Sequence, residues 1–319
     1  MKLLITGFAG FVSRHFLNLL SVQDESFEII GIDRNIPGFG FNKYNNVTCK
    51  VIQTDLKYSD FIFDIIKSFS PEYILHFAAA SSVQYSWQHP AKSFLNNNAI
   101  FFALLDAVKR SEKNIRVLST GSSDVYGNSA NKNLILREDC IADPANPYAA
   151  GKASQEMIAK IYINSFGLDI IQTRSFTHFG AYQKDSFVLA KFAKELTLIK
   201  KGKKTSTLLT GNIDVVRDIT DVRDVVNAYY GLLKCGKIGE VYNVCSGQGR
   251  SLRSVIELML QQLEISVDLQ LDESLLRKGE ILSIIGSNEK IYTLTKWKPE
   301  IVFEKAIADL LDYWNKHVS

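Results

Sequence analysis

The chain begins MKLLITGFAGFVSRHFLNLL, an apolar run that stops at Gly7 and resumes after Gly10 with helical spacing. Few folds accommodate a buried strand that turns through glycines directly into a helix. The arrangement suits a phosphate: Gly7 permits the tight turn, and Gly10 lets backbone amides and the helix N-terminus approach a diphosphate. The third position of such a loop sets how closely helix packs on strand. Ser13 occupies it here and is nearly as small as glycine. Asp33 ends the next apolar run, where an acidic side chain can accept hydrogen bonds from the adenosine ribose of a dinucleotide.

Further apolar, β-branched runs follow at 27–33, 49–53, 72–78, 115–120 and 168–174. Their continuous apolar character, without alternation, predicts strands covered on both faces and therefore a parallel sheet. Helices are expected between them at about 11–21, 58–69, 91–112 and 146–166. The pattern predicts an α/β fold, a doubly wound parallel (Rossmann) sheet whose ligand crevice lies beyond the strand carboxyl ends. After residue 175 the rhythm loosens into helices at 186–201, 221–234, 251–263 and 303–316, with short strands between. We expect a dinucleotide-binding domain over 1–175 with returning segments near 213–245. A smaller, interleaved C-terminal substrate lobe should occupy most of 176–319.

Composition excludes several classes. A net charge of +3 on 319 residues gives no footprint for nucleic acid. No apolar run reaches the roughly 18 residues of a membrane helix. The N-terminus, with Lys2 ahead of a short strand and no small-residue cleavage site, does not read as a signal peptide. Cys49, Cys140, Cys235 and Cys245 are scattered without metal-ligand spacing. They read as reduced thiols of a cytoplasmic protein, with no metal expected.

Two segments carry the chemistry. In PYAAGK, Tyr148 and Lys152 are four apart at a helix start and share one face. Lys152 is expected to lower the tyrosine pKa and hold a nicotinamide ribose, leaving Tyr148 to exchange a proton with a carbonyl/alcohol pair. In STGSSDVYG, Ser122 or Ser123 stands just past a strand end, placed to polarise the same oxygen. Asp33 repels a 2′-phosphate and favours NAD(H), whereas the adjacent Arg34 can pair with that phosphate. Both NAD(H) and NADP(H) stay open, with the balance toward NAD(H). Asp55 can reach an adenine edge or cap the following helix.

The segments TGFAGFVSRH, LHFAAASSVQYSW, GSSDVYG, PYAAGK, TRSFTHFG, GNIDVVRDITDVRDVV, GEVYNVCSG and WKPEI together resemble the extended short-chain dehydrogenase/reductase family. Within it they are most similar to the nucleotide-sugar branch that modifies GDP-mannose derivatives, over essentially the whole chain. The resemblance implies Tyr148 as acid, Lys152 as its partner and Ser122 as the carbonyl-polarising hydroxyl. It adds Leu56 and Ala78 to the cofactor set, and gives Asn97 a supporting role. Asp124 falls where the branch's dehydratases carry a glutamate base, and its shorter reach favours reduction over dehydration.

For the substrate, the resemblance implies a GDP-linked sugar, with Arg217 and Arg277 on its diphosphate and Ser123, Thr177, Phe187, Val188, Lys194 and Asn212 around it. Thr177 and the sequence Gly180-Ala181-Tyr182-Gln183 depart from the family's Asn-His and Gly-Pro-Gly-Gln, which predicts a reshaped sugar pocket. The implied reaction is reduction of the C4 ketone of a GDP-4-keto-6-deoxy sugar, for surface polysaccharide. The alternatives are 4,6-dehydration and, from another class, a non-catalytic dinucleotide sensor. Relatives commonly form homodimers through the helices near 91–112 and 146–166, where Phe101, Phe102 and Leu105 suit either a dimer contact or the core. His76 and His178 read as packing residues.

Overall fold

Leu3, Leu4 and Ile5 are all fully buried, yet they serve two different cores. Side chains alternate across a strand, so Leu3 and Ile5 enter one hydrophobic cluster and Leu4 another on the opposite face. The computed structural model describes residues 1–41, 44–276 and 279–318. It shows a seven-stranded, all-parallel sheet whose strands lie in the spatial order Val47–Gln53, Phe27–Asp33, Lys2–Thr6, Tyr73–His76, Arg116–Thr120, Asp169–Ser175 and Val241–Val244.

The strands are β1 (Lys2–Thr6), β2 (Phe27–Asp33), β3 (Val47–Gln53), β4 (Tyr73–His76), β5 (Arg116–Thr120) and β6 (Asp169–Ser175). One face is covered by α1 (Phe11–Leu20). The other carries α2 (Ser59–Phe69), the short α3 (Val83–Gln88), α4 (Pro90–Arg110) and α5 (Pro147–Phe166). The chain then enters the second lobe through β7 (Thr177–Phe179), α6 (Val188–Lys200), β8 (Thr207–Thr210) and β9 (Val216–Asp221). It returns to the first sheet as α7 (Val222–Cys235) and β10 (Val241–Val244), so that α7 packs beside α1. The remainder is β11 (Gly249–Ser251), α8 (Leu252–Leu263), β12 (Asp268–Leu271), β13 (Ser283–Ile284), α9 (Glu289–Thr295) and α10 (Phe303–His317). Helices α6, α8 and α10 enclose the lobe's own core.

The doubly wound fold is as expected, with two differences. The sheet has a seventh strand, β10, supplied by the returning segment. The fourth strand stops at His76 because the chain turns there beneath the loop at Gly7. Phe101 and Leu105 are fully buried in the core, whereas Phe102 is exposed. Among the described residues no helix is long and apolar enough to cross a membrane.

The loop after β1 explains its own sequence. Gly7 has φ +73, and a Cβ there would lie 2.7 Å from the Ala78 amide nitrogen. Both the left-handed backbone and the close approach require glycine. Ser13 is fully buried, and its Oγ donates to the Gly7 carbonyl at 3.1 Å. The serine thus binds the helix to the loop it follows. We expect Ser13→Ala to cost about 1 kcal/mol in denaturant unfolding and to leave dinucleotide binding intact in a fluorescence titration. Ser13→Leu, which has no space, should abolish that binding in the same titration.

Candidate active site

The carboxyl ends of β1, β4, β5 and β6 open into one cleft of about 1080 Å³, closed on its far side by the second lobe. Gly7, Gly10, Asp33, Arg34, Asp55, Leu56 and Ala78 line one end of it. Gly10 is exposed and caps α1, whose first turn holds no acidic residue. The helix therefore presents free amides and its positive end to the cleft, a fit for a diphosphate. Asp33 accepts hydrogen bonds from the Ala9 amide at 3.0 Å and the Asn35 amide at 2.9 Å, so it also holds the loop shut. Asp55 lines the cleft and accepts from the Lys57 amide at 3.1 Å, closing a turn; it does not cap α2, whose N-terminal cap position is Tyr58. Asn97 accepts the Ala80 amide at 2.8 Å and returns a bond to its carbonyl, fixing the chain just past β4.

Ser122, Ser123, Asp124, Tyr148 and Lys152 meet in the middle of the cleft. Asn146 caps α5 by accepting the Ala149 amide at 2.8 Å, and Pro147 opens the helix, so Tyr148 and Lys152 start its first two turns. Ser122 lies beside the Tyr148 phenol and weakly favours its ionisation. Burial, reinforced by Asp124, raises the phenol above its ordinary value. Lys152 does not produce the expected depression. Its ammonium donates instead to the Thr120 carbonyl at 2.7 Å, and burial lowers it to about 8. The phenol is accordingly held in its protonated, proton-donating form. His76 lies below, fully buried and lowered to about 3 by that burial and by Lys152, with Nδ1 bonded to Thr6 Oγ1 at 2.8 Å.

The other end of the cleft is made by the second lobe. Thr177, Phe187, Val188, Asn212 and Arg217 all line it. Arg217 Nη1 donates to the Val216 carbonyl at 2.8 Å. Lys194 does not reach the cleft: it pairs with Asp185 at 2.6 Å and lies over the Trp314 ring. Lys191, one turn earlier, lines the wall in its place. Arg277 lies outside the described residues. His178 stacks on Phe11 with ring centroids 5.9 Å apart and packs at the cleft wall. Among the described residues no cluster of metal-ligating side chains occurs.

Sequence reasoning missed Thr120, Ser175 and Tyr229, all at the cleft wall. The signal for the first two was the polar ending of otherwise apolar strands, ST in RVLST and TRS in DIIQTRS. Tyr229 gave no local signal, because α7 returns to the site from 54 residues beyond Ser175.

The profile of the family described as GDP-mannose 4,6 dehydratase matches residues 4–310. GDP-6-deoxy-D-mannose reductase of Pseudomonas aeruginosa is 31% identical over 317 residues, covering 99% of this chain and 98% of that protein. The solved structure of RMD from Pseudomonas aeruginosa complexed with NADPH superposes with a TM-score of 0.87 at 31% identity, covering 99% of each chain. UDP-glucose 4-epimerase of Thermus thermophilus, complexed with NAD, superposes at 0.86 and 25% identity over the whole of both chains. With the dinucleotide loop, the Tyr148/Lys152 pair and these likenesses in place, the chain belongs to the GDP-mannose 4,6-dehydratase family of nucleotide-sugar extended short-chain dehydrogenase/reductases.

Proposed function

We propose that this protein reduces the C4 ketone of a GDP-linked 4-keto-6-deoxy sugar at the expense of a nicotinamide dinucleotide. The observation that carries the reading is the buried phenol of Tyr148, kept protonated and sharing with Ser122 a cleft that also fits a dinucleotide. The bound nicotinamide supplies a hydride. Tyr148 donates the proton to the ketone oxygen, and Ser122 stabilises the charge that develops there, a contribution of about 10²–10³ in rate for one such donor. Lys152 holds the nicotinamide ribose. Arg217 faces the diphosphate of the sugar nucleotide, with Thr177, Phe187, Val188 and Asn212 around it.

Asp33 at the ribose end favours NAD(H), because its carboxylate repels a 2′-phosphate. Arg34 at the rim supports the opposite choice, so kinetics with NADH and NADPH in parallel test this assignment. Asp124, close enough to Tyr148 to act on its charge, supports 4,6-dehydration as a second reading. In that case GDP-mannose would be converted without net oxidation of NAD(P)H.

The surface supports a homodimer built on α4 and α5. Leu95 is 64% exposed, Phe102 43%, Met157 61% and Ile161 56%, all on the two helices that pack together over one face of the sheet. Phe102→Glu combined with Met157→Lys should give a monomer in sedimentation.

Tyr148→Phe should reduce turnover of a GDP-4-keto-6-deoxy sugar by about 10²-fold or more, with NADH affinity unchanged by fluorescence titration. Retention of most activity would remove Tyr148 from the chemistry. Lys152 is charged below about 8 and loses that charge as pH rises through it. The kcat/KM for NADH should therefore fall along a one-proton limb above about 8, and Lys152→Arg should remove the limb.

A further inference from the structure

Strand β9 runs between β11 and β13 in the second lobe. Side chains alternate across a strand, so Arg217 reaches the cleft while Asp218, next along, turns into the interior and is almost fully buried. The Asp218 carboxylate accepts four hydrogen bonds. Oδ1 takes the Ser246 amide at 2.7 Å and the Ser246 hydroxyl at 2.6 Å. Oδ2 takes the Gly247 amide at 2.9 Å and the Gly286 amide at 3.2 Å. Ser246 and Gly247 follow β10, the edge strand of the first sheet, and lead into β11. Gly286 follows β13. One carboxylate thus ties the strand that carries Arg217 to the edge of the first sheet and to both of its own neighbours.

The junction has no slack. A Cβ on Gly286 would lie 2.5 Å from the Phe176 ring and 2.7 Å from Cys245 Sγ. An ionised carboxylate offers about four acceptor sites and no donor, which is what four donors require. Asparagine has the same outline, but either orientation of its amide sets an NH₂ against backbone N–H groups. The ties also reach the cleft through Arg217 itself. Its Nη1 donates to the Val216 carbonyl at 2.8 Å and to the Leu282 carbonyl at 3.4 Å. Leu282 directly precedes β13, so a shift of β13 against β9 moves the guanidinium.

We propose that Asp218 is a positioning residue for the sugar nucleotide, fixing the Arg217 guanidinium at the separation from the first sheet that a diphosphate-linked ligand requires. The proposal rests on the reading of Arg217 given above. Asp218 touches no ligand and leaves the proton transfer to Tyr148. Loss of its charge acts on the second-lobe end of the cleft and spares the end built around Gly7 and Asp33.

The test is a double-mutant cycle, read by calorimetry on the full-length protein with GDP-mannose and NAD⁺ as probes. Asp218→Asn should weaken GDP-mannose binding by roughly 3- to 30-fold and leave NAD⁺ binding as in the wild type. Arg217→Ala should weaken GDP-mannose binding as well. In that background most of the Asp218→Asn effect should vanish, because the group it acts through is gone. A purely structural aspartate would instead give additive losses and lower the affinity for both probes. Additive losses therefore overturn the proposal, and so does unchanged GDP-mannose binding in Asp218→Asn. Should Asp218→Asn unfold the chain, lost NAD⁺ binding and a lower Tm will show it. Ser246→Ala, which removes one of the four donors, then takes its place in the cycle and is judged in the same way. If the wild-type protein binds NAD⁺ but not GDP-mannose, the sugar-nucleotide reading itself is wrong and this proposal falls with it.

Discussion

The position of Tyr148 and Lys152 depends on a buried ion pair behind them. Arg174 on β6 meets Glu156 on α5 through two parallel hydrogen bonds of 2.9 Å, with both side chains almost wholly enclosed. Glu156 is one turn beyond Lys152, so the pair pins the cleft-facing side of α5 to the sheet. Arg174 also donates to the Glu138 carbonyl at 3.2 Å, and its guanidinium lies 4.5 Å from the Tyr126 ring centre. Tyr126 stands in the turn that carries Ser122 and Asp124, and its hydroxyl donates to Asn243 on β10. One guanidinium therefore gathers α5, β6 and the serine-bearing turn. A buried ion pair is weak evidence of stability, since desolvation offsets most of its attraction. Its geometric consequence is firmer: neither partner can move without leaving a charge unpaired in the interior.

Much of this architecture was legible from the sequence because strands buried on both faces cannot hide their composition. KLLIT and FEIIGID read as central strands from their continuous apolar character, and the structure divides their residues between the two cores by simple alternation. The glycine loop was legible for a different reason, as each residue in it answers a separate steric demand. What escaped notice depends on phase or length. Lys194 was placed at the substrate, but it is six residues past Val188, a rotation of about 240° around the helix, which turns it toward Asp185 and Trp314. Lys191, three past Val188, stays on the cleft side. The seventh strand, VYNV, lies in the segment expected to return near 213–245, but at four residues it was too short to be read as a strand of the sheet. Local pattern does not mark so short a run as a sheet strand.

The electrostatics of the centre also differ from what spacing suggests. A lysine one turn beyond a tyrosine invites the picture of a cation that drives the phenol toward ionisation. Here Thr120 offers its carbonyl to the ammonium, and removal from water dominates both groups, raising one and lowering the other. A tyrosine so placed is suited to giving a proton to an alkoxide, which is the direction a ketone reduction requires. Asp124 adds to the same effect, since its negative charge opposes a phenolate beside it.

The turn at the sugar end shows how the chain supports a departure from its family pattern. Tyr182 has φ +70, a left-handed conformation that glycine adopts without strain and a tyrosine does not. Its ring is held from several sides: the Arg14 guanidinium lies 3.2 Å from its centre, and Tyr313 meets it edge-on at 4.8 Å. Arg14 belongs to α1, just past the phosphate loop, and Tyr313 to α10 of the second lobe. Tyr182 itself lines the cleft between them. Cation–π and aromatic contacts of this kind contribute on the order of 0.5–2 kcal/mol each, enough together to offset a backbone strain of about 1–3 kcal/mol. The strained residue thus joins α1 to α10 of the second lobe. A glycine at the same position would relax the backbone but remove one of the rings that join α1 to α10.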